Sequence, residues 1–402
     1  MRIASYVPRA TYLESCPGGE KHTSGDGMFI TNMVAGLRRR GHQVKVVSRS
    51  DVRGFWQGRL PARRLLAEAA IVRGEVKRFS PDAWLVYATS VQYPDLFGWW
   101  QNPKRYVLLG CEGSGEARVK AMPRPWRGLY TYAFRKSLER ADKVIAVRPM
   151  GELGGAVEHL RSWGVPEERI CFLPLAVKTW KRLPSREEAR RVLGLQPEGP
   201  IVLCVSRLSL RRYEGDPRPG KAEAVIDLVR AFAALPSNAQ LLLIGDGDGR
   251  RQVESEAARL KLSGRVHLAG QLEHNEIGWY YAACDFFAIP EMAESNRPYQ
   301  ALLEAQAAGR AVVTTDTALN RITTEPGRTA LLAKDLPEFQ SHMLTLAKDR
   351  SLCDEMGRAA ADFVARSYSI EVRAAQVEKL LLGSAEDSGS QKEAVSGDPQ
   401  IS

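Results

Sequence analysis

The sequence predicts an α/β protein made of two doubly wound halves, each a parallel sheet covered by helices on both faces. Three observations carry that prediction. The chain has 402 residues, more than one typical core accommodates, so two domains are expected. Short apolar runs of strand length alternate with amphipathic stretches of helical period through both halves. That alternation is the signature of parallel strands joined by helical crossovers.

In the first half the strand candidates are RIASYVP, QVKVVSR, AWLVYAT, RYVLLGC and KVIAVRP. The first of these lies at the N-terminus, in a run too short and too unlike a cleavage pattern to be read as a signal peptide. Between the first two lies GMFITNMVAGLRRR, where Met28, Ile30, Met33, Val34 and Leu37 fall near helical spacing. In the second half the candidates are PIVLCVS, AQLLLIGDG, RVHLAG, DFFAIP and RAVVTTD, with helical segments such as KAEAVIDLVRAFAAL between them. The charged, Pro-containing stretch KTWKRLPSREEARRVLGLQPEGP reads as the link, which places the boundary near residue 180. The expected organisation is a first domain over 1–180, a second over 181–368, a helix over 369–383 returning to the first domain, and a disordered tail over 384–402.

An apolar fraction of 44% and a charged fraction of 26% are those of an ordinary globular protein. No run of 18 apolar residues exists, so a spanning helix is not expected. The six cysteines are scattered with no CxxC pair, and several sit in apolar stretches, which favours buried free thiols over zinc. A reducing, cytoplasmic setting fits. The net charge of +10 is unevenly placed: residues 1–178 hold 29 Lys and Arg against 16 Asp and Glu, leaving the remainder slightly acidic. A basic first half suits a phosphorylated acceptor, an acidic membrane surface or a nucleic acid, and is equally read as solvated helix faces. Aromatic and basic residues interleave in GFWQGRLPARRLL and MPRPWRGLYTYAFRK. There Trp56, Trp126 and Tyr130 read as facing a lipid interface or a sugar with Arg63, Arg64, Arg124 and Arg127 at phosphates, or, on the competing reading, as core with the arginines solvated.

Open parallel sheets bind ligands at the carboxyl ends of their strands, so the chemistry is sought there. Arg207 directly follows a strand and Lys221 opens a helix. Two cations so placed can hold a diphosphate and neutralise charge growing on a leaving phosphate, although each alone is more often a solvated surface group. Gly245-Asp246-Gly247-Asp248-Gly249 follows the strand QLLLI. It is GxGxG rather than GxGxxG, so it reads either as a backbone approach to phosphate or as a plain tight turn. In PEMAESNRPYQALLEAQAAGRAVVTTD, Glu304 lies in a small, apolar helical run. A partly buried carboxylate there needs partners, and ribose hydroxyls would serve.

In this order, VSRL, GKAEAVIDLVRAF, LLLIGDGDGRRQVE, RVHLAGQL, WYYAACDFFAIP and LLEAQAAGRAVV resemble the donor-binding half of retaining glycosyltransferase family 4. SGDGMFITNMVAGLRRRGHQVKVVS, RADKVIAV and GVPEERICFLP resemble its first half more loosely. The resemblance covers about residues 1–380 and implies the GT-B fold, two Rossmann-like domains facing a cleft. It implies transfer of a sugar from a nucleotide-sugar donor to an acceptor hydroxyl with retention, by front-face attack, without a metal or other cofactor. Carried over, Arg207 and Lys221 hold the donor diphosphate and Glu304 the ribose. Gly25 and Gly27 form the phosphate- and acceptor-facing loop before the first helix, and Gly245 and Gly247 line the nucleotide pocket. Four departures accompany these matches. The family's first motif Glu falls on Asn296, with Glu294 two residues away as its substitute. SLRRYEGDPRPG inserts extra residues between Arg207 and Lys221. The first domain's strand-end His is missing, with Cys111 and Glu112 near that place on the acceptor side. The family's PNGVD reads PLAVK at 174–178. The expected partners are a nucleotide sugar and a glycan, lipid-linked or small-molecule acceptor, with peripheral contact at the cytoplasmic face of an anionic membrane and no nucleic acid. Other readings consistent with the departures are a catalytically weak nucleotide-sugar-binding partner subunit and a GT-B sugar epimerase.

Overall fold

The computed structural model describes residues 1–8, 25–47, 50–87, 93–111, 120, 122–147, 156–174, 176–177, 179–180, 182–210, 220–290 and 300–383. The chain divides into two compact units, Met1–Ala176 with the chain from Ile370 onward, and Val177–Ser369.

The first unit runs β1 (Arg2–Tyr6), α1 (Gly25–Arg39), β2 (Gln43–Val46), α2 (Arg53–Trp56), α3 (Ala62–Phe79), β3 (Ala83–Tyr87), β4 (Arg105–Leu109), α4 (Arg124–Arg140), β5 (Lys143–Ala146), α5 (Ala156–Ser162) and β6 (Ile170–Phe172). Its described strands form a parallel sheet in the order β2-β1-β3-β4-β5-β6, with Ile3 paired to Val44 on one side and to Ala83 on the other. Every residue of β3 is buried, as a strand covered on both faces requires. Alternate residues divide between two cores. Ala4, Tyr6, Trp84, Val86, Tyr106 and Leu108 meet α3 and α4, whereas Ile3, Leu85, Val107 and Leu109 meet α1.

The second unit runs α6 (Arg186–Val192), β7 (Ile201–Val205), α7 (Lys221–Phe232), β8 (Gln240–Ile244), α8 (Arg250–Arg259), β9 (Val266–Gly270), α9 (His274–Ala283), β10 (Phe286–Ile289), α10 (Gln300–Ala307), β11 (Ala311–Thr315), α11 (Ala318–Thr323), β12 (Ala330–Ala333), α12 (Leu336–Lys348) and α13 (Arg350–Ser367). Its described strands pair in parallel in the order β12-β11-β10-β7-β8-β9. Both units are therefore α/β, and each sheet reverses its strand order once, between β1 and β3 in the first and between β7 and β10 in the second.

Each sheet has a strand that the apolar runs did not reveal. β6 is three residues long, and β12, ALLA, has no β-branched residue, so neither carries a strand signal of its own. The stretch read as a link is instead built into the second unit. Arg190 of α6 is buried and donates to Asp285 at 2.7 Å, while the Ile201 N–H donates to the same oxygen at 2.7 Å. Arg186 joins Asp285 to Asp354, the latter at 2.6 Å. Charge that looked like solvated linker is thus an internal ion-pair network.

The last helix, α14 (Ile370–Leu382), packs on α1 within the first unit. The crossing is close at Gly36, where a Cβ would come within 2.9 Å of the Ala374 Cβ. At the periphery Arg39 pairs with Glu371 at 3.0 Å, and His42 with Glu378 at 2.6 Å.

Candidate functional site

In the second unit the strand order reverses between β7 and β10, the switch point at whose strand carboxyl ends open parallel sheets bind ligands. Arg207, Lys221, Gly245 and Gly247 all fall at this edge. Arg207 is exposed two residues beyond β7, on a segment that the glycine turn fixes in place. The Ser206 N–H donates to the Ile244 carbonyl at 2.9 Å, Leu208 N–H to Asp246 at 3.0 Å, and Gly249 N–H back to Leu208 at 2.7 Å. The Asp248 carboxylate accepts the Leu210 N–H at 2.8 Å.

Two of the glycines are required by this contact. Gly245 has φ +128°, and a Cβ on it would lie 2.0 Å from the Ser206 carbonyl oxygen. A Cβ on Gly247 would lie 2.3 Å from that of Leu208. Both side chains are excluded by protein backbone, whatever a ligand does. The open choice between a phosphate loop and a tight turn therefore resolves locally to a turn whose partner is the Arg207 segment.

Lys221 is the first residue of α7 and half-buried. The Ala222 N–H donates to the Ser209 carbonyl at 3.0 Å, tying the helix start to the same segment that carries Arg207. Lys221 also lies near enough to Cys204, inside β7, for its charge to be felt there. Burial pushes that thiol up to about 12, and the ammonium acts in the opposite direction. The helix N-terminus adds partial positive charge from its aligned peptide dipoles. Two cations and a helix dipole thus converge at one strand end, an arrangement suited to a diphosphate.

Glu304 is half-buried one turn inside α10, on the element that follows β10 across the switch point from β7. Helical side chains lean toward the N-terminus of their helix, here toward the carboxyl edge of the sheet. The Tyr281 hydroxyl lies 3.4 Å from Glu304 Oε2 and 3.1 Å from the Ala301 carbonyl. Trp180 donates its indole N–H to the Glu304 carbonyl at 3.2 Å and leans on the Tyr281 ring, with centroids 5.8 Å apart. Burial raises the Glu304 carboxyl to about 7, against the opposing pull of the Tyr281 hydrogen bond. Near neutral pH this acid is poised between its charged and neutral forms. Sequence reasoning missed Tyr281 and Trp180. Tyr281 stands in the apolar run WYYAAC, which reads simply as helix core, and Trp180 stands in what looked like linker.

The structure corrects one expectation in the first unit and settles another. α1 begins at Gly25, so Gly25 and Gly27 form its first turn instead of a loop before it. Their N–H groups are among those that a helix start leaves without an intrahelical acceptor. The aromatics left open between a lipid or sugar face and the core belong to the interior. Tyr130 is fully buried with its hydroxyl donating to the Val52 carbonyl, Trp126 stacks on Phe55 at 6.2 Å, and Trp56 packs partly buried on the same core. Apolar demand under α3 and α4 has taken them. Glu112, Glu294 and Asn296 lie outside the described residues. The five described cysteines are free and buried.

The fold and the switch-point residues define the class of a GT-B glycosyltransferase chain. Two family models match it, "Glycosyltransferase Family 4" over residues 23–181 and "Glycosyl transferases group 1" over residues 200–349. The chain thus matches a Glycosyltransferase Family 4 domain followed by a Glycosyl transferases group 1 domain. Among curated relatives, a GDP-mannose-dependent monoacylated alpha-(1-6)-phosphatidylinositol monomannoside mannosyltransferase of Corynebacterium glutamicum is 28% identical over 260 residues, 62% of this chain and 61% of that protein. A D-inositol 3-phosphate glycosyltransferase of Nocardia farcinica is 30% identical over 249 residues, 58% of this chain and 51% of that protein. The chain thus spans between half and about three fifths of the length of the relatives it matches. Among solved structures, sucrose-phosphate synthase from Thermosynechococcus elongatus is similar in fold over 96% of this chain and 100% of its own, with a TM-score of 0.66 at 19% identity.

Proposed function

We propose that this chain is a retaining, metal-independent glycosyltransferase that takes a sugar from a nucleotide-sugar donor bound on the second unit to a hydroxyl of a phosphate-bearing acceptor bound on the first. The observation that carries the reading is the convergence of Arg207, Lys221 and the start of α7 at the carboxyl end of β7, with Glu304 across the switch point. The two cations bind the donor diphosphate and stabilise it most as it leaves with full charge, which is where stabilisation accelerates the reaction. The acceptor hydroxyl oxygen forms its bond to the anomeric carbon on the face from which the nucleoside diphosphate departs, which gives retention. The bond from that carbon to phosphate oxygen breaks, and the hydroxyl proton passes to the departing phosphate. The cations meet the phosphate charge without a metal, and Glu304 takes hydrogen bonds from the ribose.

The acceptor class rests on two supports. Both reported relatives are named for acceptors carrying an inositol phosphate unit. The first 178 residues carry an excess of 13 positive charges, which suits a phosphate on a lipid or a small polyol. A panel of GDP- and UDP-sugars, each offered with inositol phosphate, phosphatidylinositol or no acceptor, tests the reading. Transfer product with the α configuration of its donor retained supports it. Inverted product, donor epimerisation, or donor binding without turnover under any pairing overturns it.

A further inference from the structure

Helix α3 of the first unit packs Leu65, Ala69, Val72 and Val76 on the core but leaves two large aliphatics outside. Its buried residues are Glu68, Val72 and Glu75, whereas Leu66 is 75% exposed and Ile71 44% exposed. Both of its acids face inward, where Glu68 accepts the Ser50 N–H at 3.1 Å and Glu75 pairs with Lys45 and Arg78. Its outer surface therefore carries Arg63, Arg64, Arg73, Lys77 and Arg78 and no acid at all. A single exposed leucine means little, but an 18-residue helix that turns both carboxylates inward and shows Leu66 and Ile71 among five cations is an unusual solvent face.

α4, on the same side of the sheet, also exposes large apolar side chains among cations, together with one acid, Glu139, which pairs with Lys136 at 2.6 Å. α4 exposes Leu129 (39%) and Tyr132 (50%) one turn apart, with Arg124 and Arg135 also exposed. Tyr132 meets Trp99 edge to face at 5.6 Å, and the adjacent Trp100 is exposed. α3 and α4 share one core beneath them, the one built on Trp84, Tyr106 and Tyr130, so both outer faces belong to one layer of the unit.

We infer that this α3–α4 face docks the protein on an anionic lipid bilayer, with the cations of α3 at the headgroups and Leu66, Ile71, Leu129 and Tyr132 entering the interface. The occupant follows from charge. A second copy docking by the same face would set five α3 cations against five, which disfavours a two-fold contact. A bilayer surface of anionic lipid supplies opposite charge and an apolar boundary together, and a helix with basic residues around aliphatic ones lies in that boundary. The inference deepens the proposed function by supplying the partner surface of an acceptor held in a membrane, and it rests on that reading only for its purpose.

The test uses the full chain and vesicles of phosphatidylcholine with or without 30% phosphatidylglycerol, sedimented at low and physiological salt. Expected are binding to anionic vesicles alone, weakening with salt, and a loss of about 20-fold in partitioning for the double variant R73Q/K77Q, since each basic residue near such a surface contributes about five-fold. Leu66→Ser is expected to weaken binding at both salt concentrations, and thermal unfolding midpoints of all variants should match wild type, because these side chains are exposed. Failure of wild type to bind anionic vesicles overturns the inference, as does equal binding to neutral ones, or R73Q/K77Q and Leu66→Ser partitioning like wild type. A concentration-dependent dimer abolished by Leu66→Ser also overturns it. Solution binding of a nucleotide sugar, measured in parallel without vesicles, reports on the second unit alone and separates failure of this surface from failure of the donor site.

Discussion

Glu304 offers a test in which stability and donor binding move in opposite directions. Its carboxyl is raised by burial from 4.5 to about 7 in the empty site. A carboxyl raised on folding contributes stability that is complete below its unfolded value and is lost as pH rises through its folded value. Between pH 4.5 and 7 the unfolded chain is ionised while the folded chain still holds the proton, and above 7 the folded protein keeps a poorly solvated charge. The shift corresponds to about 3 kcal/mol at pH 8 and to less than about 1 kcal/mol at pH 5. Glu304→Gln removes that charge, so without nucleotide it should unfold at higher denaturant than wild type at pH 8, with the gap closing toward pH 5. Donor binding should respond the other way. Ribose hydroxyls donate best to the ionised carboxylate, and the diphosphate of a nucleotide sugar does not itself titrate between pH 6 and 8. Wild-type Kd should then be about ten-fold weaker at pH 6 than at pH 8, following the ionised fraction of a group at about 7. Glu304→Gln should bind more weakly at pH 8, by about 1–3 kcal/mol, and show no such slope. Urea titrations at three pH values and calorimetric binding of a ribo- and a 2′-deoxyribonucleotide sugar supply the measurements. A wild-type Kd flat across this range, an identical slope in the variant, or equal affinity for the deoxy donor would refute the ribose assignment.

Lys221→Ala should lower turnover about 100-fold, or about 3 kcal/mol of transition-state stabilisation, with an unfolding midpoint close to wild type; steady-state kinetics and a thermal melt check both halves. Gly245→Ala should destabilise the second unit by about 1–3 kcal/mol or more, because a Cβ would sit 2.0 Å from the Ser206 oxygen at a φ that L residues avoid. It should also weaken donor binding, since the displaced segment carries Arg207, and isothermal titration of a melt-verified sample would read that out. Transfer should persist in excess EDTA, and strict dependence on added Mg²⁺ or Mn²⁺ would contradict charge neutralisation by Arg207 and Lys221.

The fold was legible where burial leaves a mark in composition. β3 and β8 are buried along their whole length and read as continuous apolar runs, and the order of such runs predicts two doubly wound sheets. β6 and β12, at the sheet edges, escaped because apolar runs of three and four residues are too short to stand out as strands. At the site, Arg207 and Lys221 could be placed at strand and helix ends from pattern alone. The hydroxyl of Tyr281 beside Glu304 could not, because its partner is 23 residues away and nothing in the run WYYAAC distinguishes a tyrosine with a task from one that fills space. The charge excess of the first half was visible, but its location was not. The pattern left the interleaved Trp56, Trp126 and Tyr130 open between surface and core, and packing buries Tyr130 and half-buries the two tryptophans while leaving Leu66 and Tyr132 outside.

The glycine turn and the acid divide the work of the site. Arg207 is exposed and Lys221 half-buried beside the turn, whereas Glu304 is withdrawn enough to hold a proton near neutrality. A proton on Glu304 spares the protein a poorly solvated charge while no ribose meets it. On the proposed reading, the donor's ribose hydroxyls favour the ionised carboxylate, which releases its proton, and Arg207 and Lys221 meet the phosphate oxygens. The exchange requires the Arg207 segment to stay where the cations meet one another's ligand, and Gly245 and Gly247 fix that segment against the β8 turn at separations no other residue permits. A site of this construction binds its donor as a proton-coupled event, so calorimetry in buffers of different ionisation enthalpy at pH 7 should show net proton release on binding. Uptake, or no exchange, would mean that Glu304 keeps its proton in the complex and holds the ribose as a neutral acid.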